Sequence, residues 1–363
     1  MIKAMASLRR PLKREEVRNI LFEMLASDEL KVGDKIPSEN ILSREYGVSR
    51  NTVREAIESL VADGLVNRIH GKGTFVADRP GPTSRLIALV VPWSNNGGNV
   101  EAIPFFNTLI KGLSAGFLGH NFNLLLPGGN GSTFEGNGAI GGAIVFYPRF
   151  DEEECLDNLE RRGLPFISIG RPSQPDKKNY NYVQVDNFGG ACQATEYLIN
   201  LGHRKISYIG NALISYEWED RLNGYRKAMA DHGLGQEEHM VIEDASAMEE
   251  DGYRLIEKLL QARPDVTAVF AAGDFMAIGA IRCLRDKGLR IPEDISVIGF
   301  DDIGTSAYLR PALTTIHQPV YEAGKLAAKK LADIILHGSL ERVQIILNTE
   351  LVVRKSCAPL HSS

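Results

Sequence analysis

The sequence predicts an α/β chain in two parts. A small N-terminal domain of three helices closes on a two-stranded wing, and a larger two-lobed domain of parallel sheets follows. Three observations carry this. The chain has 363 residues, too many for one ordinary domain and suited to a small one plus a large one. Its first 77 residues show helical apolar periodicity and then two short β-prone runs. From residue 86 onward, near-continuous apolar strands alternate with amphipathic stretches, the pattern of parallel sheets covered on both faces.

Composition bounds the function. Apolar residues make up 44% and charged residues 24%, ordinary for a soluble chain that buries a large core without staples. No run approaches the roughly 18 apolar residues of a membrane helix. The N-terminal MIKAMASLRRPLKREEV lacks the apolar stretch of a secretory signal, so a cytoplasmic protein with no membrane partner is expected. Cys155, Cys192, Cys283 and Cys357 are far apart, as free thiols in a reducing compartment would be. The eight histidines show no ligand spacing, and neither metal nor cofactor is expected. Net charge is −5, but residues 1–85 carry 15 Lys and Arg against 12 Asp and Glu, leaving −8 for the remainder. A basic head on an acidic body suits a module that meets DNA joined to one that stays off it.

In the head, Val17, Ile20, Leu21, Met24 and Leu25 fall on one face of a helix spanning about 13–27. Gly33-Asp34 turns the chain. Ser38 starts a second helix, with Ile41 and Leu42 inward, and Gly47 ends it. Ser49 caps a third, whose inner face is Val53, Ala56, Ile57, Leu60 and Val61. The β-prone runs at 65–69 and 74–77 flank a glycine-bearing tip, His70-Gly71-Lys72-Gly73. The third helix opens on Arg50, Asn51, Thr52 and Arg54. Positive charge there opposes the helix dipole, whereas the start of a recognition helix is what meets base edges. Arg suits guanine and Asn suits adenine. A solvated polar face is the competing explanation.

Residues 31–77 carry G-x-x-I-P-S-E, GVSRNTVREA and a final GKGTFV, in order, and resemble the GntR-type winged helix-turn-helix along its length. The resemblance implies DNA contacts from Arg50 and Arg54, with shorter ones from Ser49, Asn51 and Thr52. It implies a wing tip of His70, Gly71 and Lys72 in the minor groove. Ser38 and Glu39 fall near the backbone, and Lys13 matches an early lysine that reaches DNA in some members.

Residues 78–85, rich in proline and glycine, read as a linker. Strands are expected at 86–91, 122–126, 142–146, 166–169, 182–185, 205–209, 266–270 and 295–299. Ligands of open parallel sheets bind beyond the strands' carboxyl ends. Those positions hold Phe105, Arg171, Arg221, Asp274-Phe275 and Asp301-Asp302, a set suited to a polyhydroxylated ligand. Aspartates there also cap helices, which competes most for Asp274. Trp218, three residues before Arg221, adds a stacking face.

The segments 103–113, 183–210, 219–229, 268–302 and 311–319 resemble, in order, the LacI/GalR-type regulatory domain, which is built like periplasmic binding proteins. That implies two lobes over 86–355, chain crossings near 183–187 and 312–319, and a tail at 356–363. It also implies effector contacts from Arg221, Asp274, Asp301 and Gln318, with Phe105, Arg171 and Phe275 lining the cleft. A GntR-type head on this body resembles the arabinose repressor group. The segment 127–141 is short and glycine-rich where the family has a full helix.

Three signals are set aside. GLSAG at 112–116 fits a nucleophile elbow but lies in a helical stretch. GGNGST at 128–133 lacks the lysine and spacing of a phosphate loop. The acids at 151–154 open a helix. The expected function is a homodimeric repressor of carbohydrate-utilisation genes, bound to a palindromic double-stranded operator and released by a small sugar. The alternatives are a regulator with a purine or other small molecule as corepressor, a sugar-modifying enzyme, for which no nucleophile or metal site is found, and a head that binds protein.

Overall fold

The structure, a computed structural model, describes residues 17–18, 20–21, 24, 30, 33–62, 65–69, 71–77, 85–91, 105–126, 140–146, 154–172, 180–210, 215–234, 241–243, 248–337 and 342–360. In the head, residues 17–18, 20–21 and 24 are helical, and Val17 and Leu21 are buried. Helix α1 (Glu39–Tyr46) ends at Gly47, whose φ of 66° is the left-handed conformation glycine adopts without a Cβ penalty. Helix α2 (Arg50–Ala62) follows, and β1 (Val66–Ile69) pairs antiparallel with β2 (Gly73–Val76) from Val66↔Val76 to Ile69↔Gly73. Leu42, Val53, Ala56, Ile57 and Leu60 join Val17 and Leu21 in one core, but Ile41, expected to face inward beside Leu42, is exposed, because the eight-residue α1 turns only Leu42 into that core.

The first lobe is built on β3 (Leu86–Val90), α3 (Phe106–Gly116), β4 (Asn123–Leu125), β5 (Gly142–Phe146), α4 (Glu154–Arg161), β6 (Phe166–Ile169) and β7 (Tyr182–Val185). The chain then crosses to the second lobe. There it forms α5 (Asn187–Asn200), β8 (Ile206–Gly210), α6 (Tyr216–Asp231), β9 (Val241–Glu243), α7 (Glu249–Ala262), β10 (Ala268–Ala271), α8 (Asp274–Asp286), β11 (Ser296–Ile298) and β12 (Thr315–His317). It returns for α9 (Val320–His337) and β13 (Gln344–Leu347), and crosses a third time to β14 (Glu350–Val352). The first sheet runs β13-β7-β6-β5-β3-β4 and the second β11-β10-β8-β9, with every pairing in both parallel. β12 and β14 pair antiparallel with each other. Separate buried clusters fill the two lobes. Two chain crossings are expected from the sequence; the third, between β13 and β14, joins strands of four and three residues separated only by Asn348 and Thr349.

Gly112 and Gly116 of the GLSAG segment lie in α3, where a Cβ on either would run into the α9 backbone at Tyr321 and Lys325. The small residues of that motif therefore serve close helix packing. The tail expected from 356 is corrected as far as Leu360. Ser356 is buried, its Oγ donates to the Val297 carbonyl at 2.6 Å, and the Leu360 N–H reaches the Leu201 carbonyl at 2.8 Å. The buried ring of His203 lies 3.1 Å from the Ala358 carbonyl. The predicted linker, except Arg85, and residues 127–139 of the glycine-rich segment lie outside the described residues, as does 151–153 of the acidic run. No helix among the described residues is long and apolar enough to cross a membrane.

Candidate DNA interface and effector cleft

The start of α2 is built by its own short side chains. Ser49 Oγ accepts the Thr52 backbone N–H at 3.0 Å and lies 2.8 Å from Thr52 Oγ1, so it caps the helix as the sequence predicts. Arg50 is exposed at the first helical position. Asn51 donates to Glu55 Oε1 at 2.8 Å, and Arg54 donates to Glu39 Oε2 at 3.2 Å. Arg68 of β1, which sequence reasoning missed, pairs with the other oxygen of Glu39. Burial alone would raise the Glu39 carboxyl, but the Arg54 and Arg68 guanidinium groups outweigh it and hold it below the usual range. Glu39 thus clamps α1 to α2 and to the wing. Ser38 is exposed at the N-cap position of α1 and makes no capping bond. At the wing, Gly71 takes a φ of 74°, and exposed Lys72 returns its N–H to the Ile69 carbonyl at 3.0 Å. Lys13 and His70 lie outside the described residues.

In the body, the strand ends converge on Arg221. It is 3% exposed on α6, and its Nε donates to Asn187 Oδ1 at 2.8 Å. Its Nη1 reaches the Ala272 carbonyl at 2.5 Å and Asp301 Oδ1 at 3.2 Å. The guanidinium sits 3.9 Å from the centroid of the Phe300 ring and 5.2 Å from that of Trp218, between two aromatic faces. Gln318 Nε2 also donates to Asp301 Oδ1, at 2.5 Å. The geometry brings together Arg221, Asp301, Gln318 and Trp218. Burial pushes the Asp301 carboxyl up, and Arg221 works against that shift.

Two more residues mark the facing lobe. Phe105, just before α3, packs edge-on against Phe146 of β5 at 5.8 Å. Arg171, just past β6, reaches across to α6: its side chain donates to Asp220 Oδ1 at 3.2 Å and its backbone N–H to Glu217 Oε1 at 3.3 Å. Glu217, also missed in the sequence, is 4% exposed, and its Oε2 has no hydrogen-bond partner among the described residues. Burial raises its carboxyl. Only the burial of an acid on the first turn of α6 reveals it, and sequence does not give that. Phe275 is half-buried on the first turn of α8.

Asp274 is a correction. The resemblance implies that its carboxylate meets the effector, yet it is fully buried and both oxygens are taken. Oδ1 accepts from Thr315 Oγ1 at 2.6 Å, and Oδ2 accepts from Ser306 Oγ at 2.6 Å and the Ile303 N–H at 3.0 Å. Burial and the neighbouring Asp301 charge push its carboxyl well above the usual carboxylate range. It knots the start of α8 to the segment that leads into β12. Asp274→Ala is expected to cost about 2–4 kcal/mol of folding stability, because three buried donors lose their acceptor. A urea melt that left the midpoint unchanged would remove that role.

Residues 195–357 match the periplasmic binding protein-like domain and residues 13–76 the bacterial regulatory proteins of the gntR family. The HTH-type transcriptional regulator CelR of Thermobifida fusca is 31% identical over 338 residues, which is 88% of this chain and 98% of that one. The chain belongs to the LacI/GalR-type transcriptional regulators, with a GntR-type head. Another relative of this regulator, the HTH-type transcriptional repressor PurR of Pasteurella multocida, is 42% identical over 219 residues, 60% of this chain and 64% of that one. Among solved structures, a transcriptional regulator CelR–cellobiose complex superposes with a TM-score of 0.71 at 28% identity, covering 96% of this chain and all (100%) of that one. A LacI family regulator from Enterococcus faecium with bound ribose gives 0.64 at 28% identity, covering 76% of this chain and 100% of that one. The two family matches thus cover separate stretches of the chain, the one to the regulatory proteins falling on the N-terminal part.

Proposed function

We propose that this regulator is a homodimeric, cytoplasmic repressor that releases a palindromic double-stranded operator when a small sugar occupies its cleft. The observation that carries the reading is the Asp301 carboxylate. It is half-buried between Arg221 and Gln318, beside aromatic faces, where it orders donors and acceptors for ring hydroxyls. Two structurally similar regulators hold cellobiose and ribose, which supports a sugar in this cleft. Phe105, Arg171, Trp218 and Phe275 line it, Glu217 adds an acceptor, and Asp274 acts from behind the wall. Arg50, Asn51 and Thr52 read base edges, and Arg54, Ser38, Ser49, Lys13, Lys72 and the tip at His70 and Gly71 hold the backbone and minor groove. The ligand acts by binding the two states of the lobes with different affinity.

A thermal-shift screen of the full chain over pentoses, hexoses, deoxysugars, cellobiose and purines tests the effector class. A ligand at a hundred times its Kd adds about 2.7 kcal/mol, enough for a shift of several degrees. A shift with a sugar is the expected result. A shift with a purine and with none of the sugars overturns the sugar reading in favour of a purine-responsive regulator.

A further inference from the structure

Asp301 and Asp302 are consecutive residues with positive φ, 119° and 55°, a conformation rare outside glycine. The turn sends their carboxylates to different places. Asp301 meets Arg221 and Gln318 in the cleft. Asp302 meets the connections between the lobes: Oδ1 accepts from Arg354 Nη2 at 2.6 Å, and Oδ2 lies 3.1 Å from His317 Nδ1. His317 ends β12, three residues before α9 begins in the first lobe. Arg354 lies two residues beyond β14, just after the third crossing. Arg354 also binds the other connection directly, through Nη1 to the Leu313 carbonyl at 2.8 Å and its N–H to Thr314 Oγ1 at 2.9 Å. Two of the three crossings are thereby fastened to one carboxylate.

The register places the ties side by side. The Asp301 N–H donates to the Ile316 carbonyl at 2.8 Å, and Asp301 bridges to His317. Asp301 takes Gln318 and Asp302 takes His317, so adjacent residues of one corner hold adjacent residues of one crossing strand. A ligand that draws on Asp301 shifts a corner that Asp302 anchors to β12 and β14.

We propose that Asp302 is a positioning residue. It touches no effector, and it carries the state of Asp301 into the two crossings about which the lobes move, β12 to α9 and β13 to β14. This rests on the reading of Asp301 as an effector contact. The charge-assisted bond to Arg354 is the stronger tie.

Hydrogen–deuterium exchange on the full chain tests it. Asp302→Gly removes both ties while suiting the left-handed backbone, and Arg354→Met removes one tie from the other side. Without ligand, both variants are expected to exchange about tenfold faster over 313–319 and 348–356, with the lobe cores unchanged. Cellobiose and ribose serve as probes. In the native chain, a sugar that protects the 299–304 segment protects 348–356 as well. In Asp302→Gly it protects 299–304 alone, a separation that a merely stabilising residue would not produce. Native-like exchange over 313–319 and 348–356 in both ligand-free variants overturns the proposal. So does sugar protection of 348–356 that survives in Asp302→Gly. If neither sugar protects 299–304 in the native chain, the sugar assignment fails for these probes, while the ligand-free comparison still decides the role of Asp302.

Discussion

Arg50→Ala is expected to weaken operator binding roughly a hundredfold or more while leaving ligand-induced thermal shifts unchanged. Arg50 is exposed at the first position of α2. A good bidentate contact to a base is worth about 1–3 kcal/mol of discrimination, and in the proposed homodimer it is lost twice. Arg54 stands differently, because it must leave Glu39 Oε2 before it reaches DNA, and the exchange of one charged acceptor for another blunts its net contribution. Arg54→Ala should therefore cost less than Arg50→Ala. Anisotropy titrations at several salt concentrations separate the two contact types. Loss of a base contact lowers affinity for operator more than for unrelated duplex, whereas loss of a phosphate contact weakens both and flattens the salt slope by about one. Unchanged operator affinity in Arg50→Ala would remove α2 as the recognition helix.

Much of this architecture is legible in the sequence because its elements are regulated by strong local patterns. The apolar face of α2 is set by 3.6-residue spacing, and the eight expected strands of the body coincide with observed ones to within about two residues. Strands β9, β12, β13 and β14 are not legible. They are three or four residues long, and around β13 and β14 the polar residues Gln344, Asn348, Thr349 and Glu350 interrupt the apolar runs. The pairings of β12 with β14 and of β13 with β7 join segments far apart in the chain.

The site divides along the same line. Position after a strand points to Arg221 and Asp301, and both enter one cluster. The same position points to Asp274, where it misleads, because strand ends supply helix-starting aspartates as readily as ligand-facing ones. Ser306, Thr315 and the Ile303 N–H decide between the two, and no local pattern brings them to Asp274. Glu217, Arg68 and Asp302 are likewise defined by partners 46, 29 and 52 residues away.

Asp301→Ala is expected to abolish the ligand response, with effector affinity down more than about a hundredfold, while operator binding by the unliganded protein persists. The magnitude follows from what the carboxylate does. A carboxylate serving ligand hydroxyls contributes about 1.5–3 kcal/mol per bond, and a ring presents more than one hydroxyl. Its loss also strands Arg221, which keeps Asn187 and the Ala272 carbonyl but no carboxylate partner at Nη1. An uncompensated buried charge costs about 3–5 kcal/mol, so some loss of stability accompanies the loss of response. Asp301→Asn separates the two effects. It retains an oxygen for Gln318 and the same shape, so the stability loss should be smaller, while the charge that holds Arg221 and polarises the ligand is gone. Calorimetric titration with whichever sugar raises the native Tm gives the affinity, and urea melts give the stability. Should Asp301→Asn bind that sugar as the native chain does, hydroxyl recognition would have to move to other polar side chains of the cleft, such as Glu217 and Gln318. If Asp301→Ala lost operator binding along with effector binding, the mutation would have acted through the fold, and the separation of reading head from sensing body would fail with it.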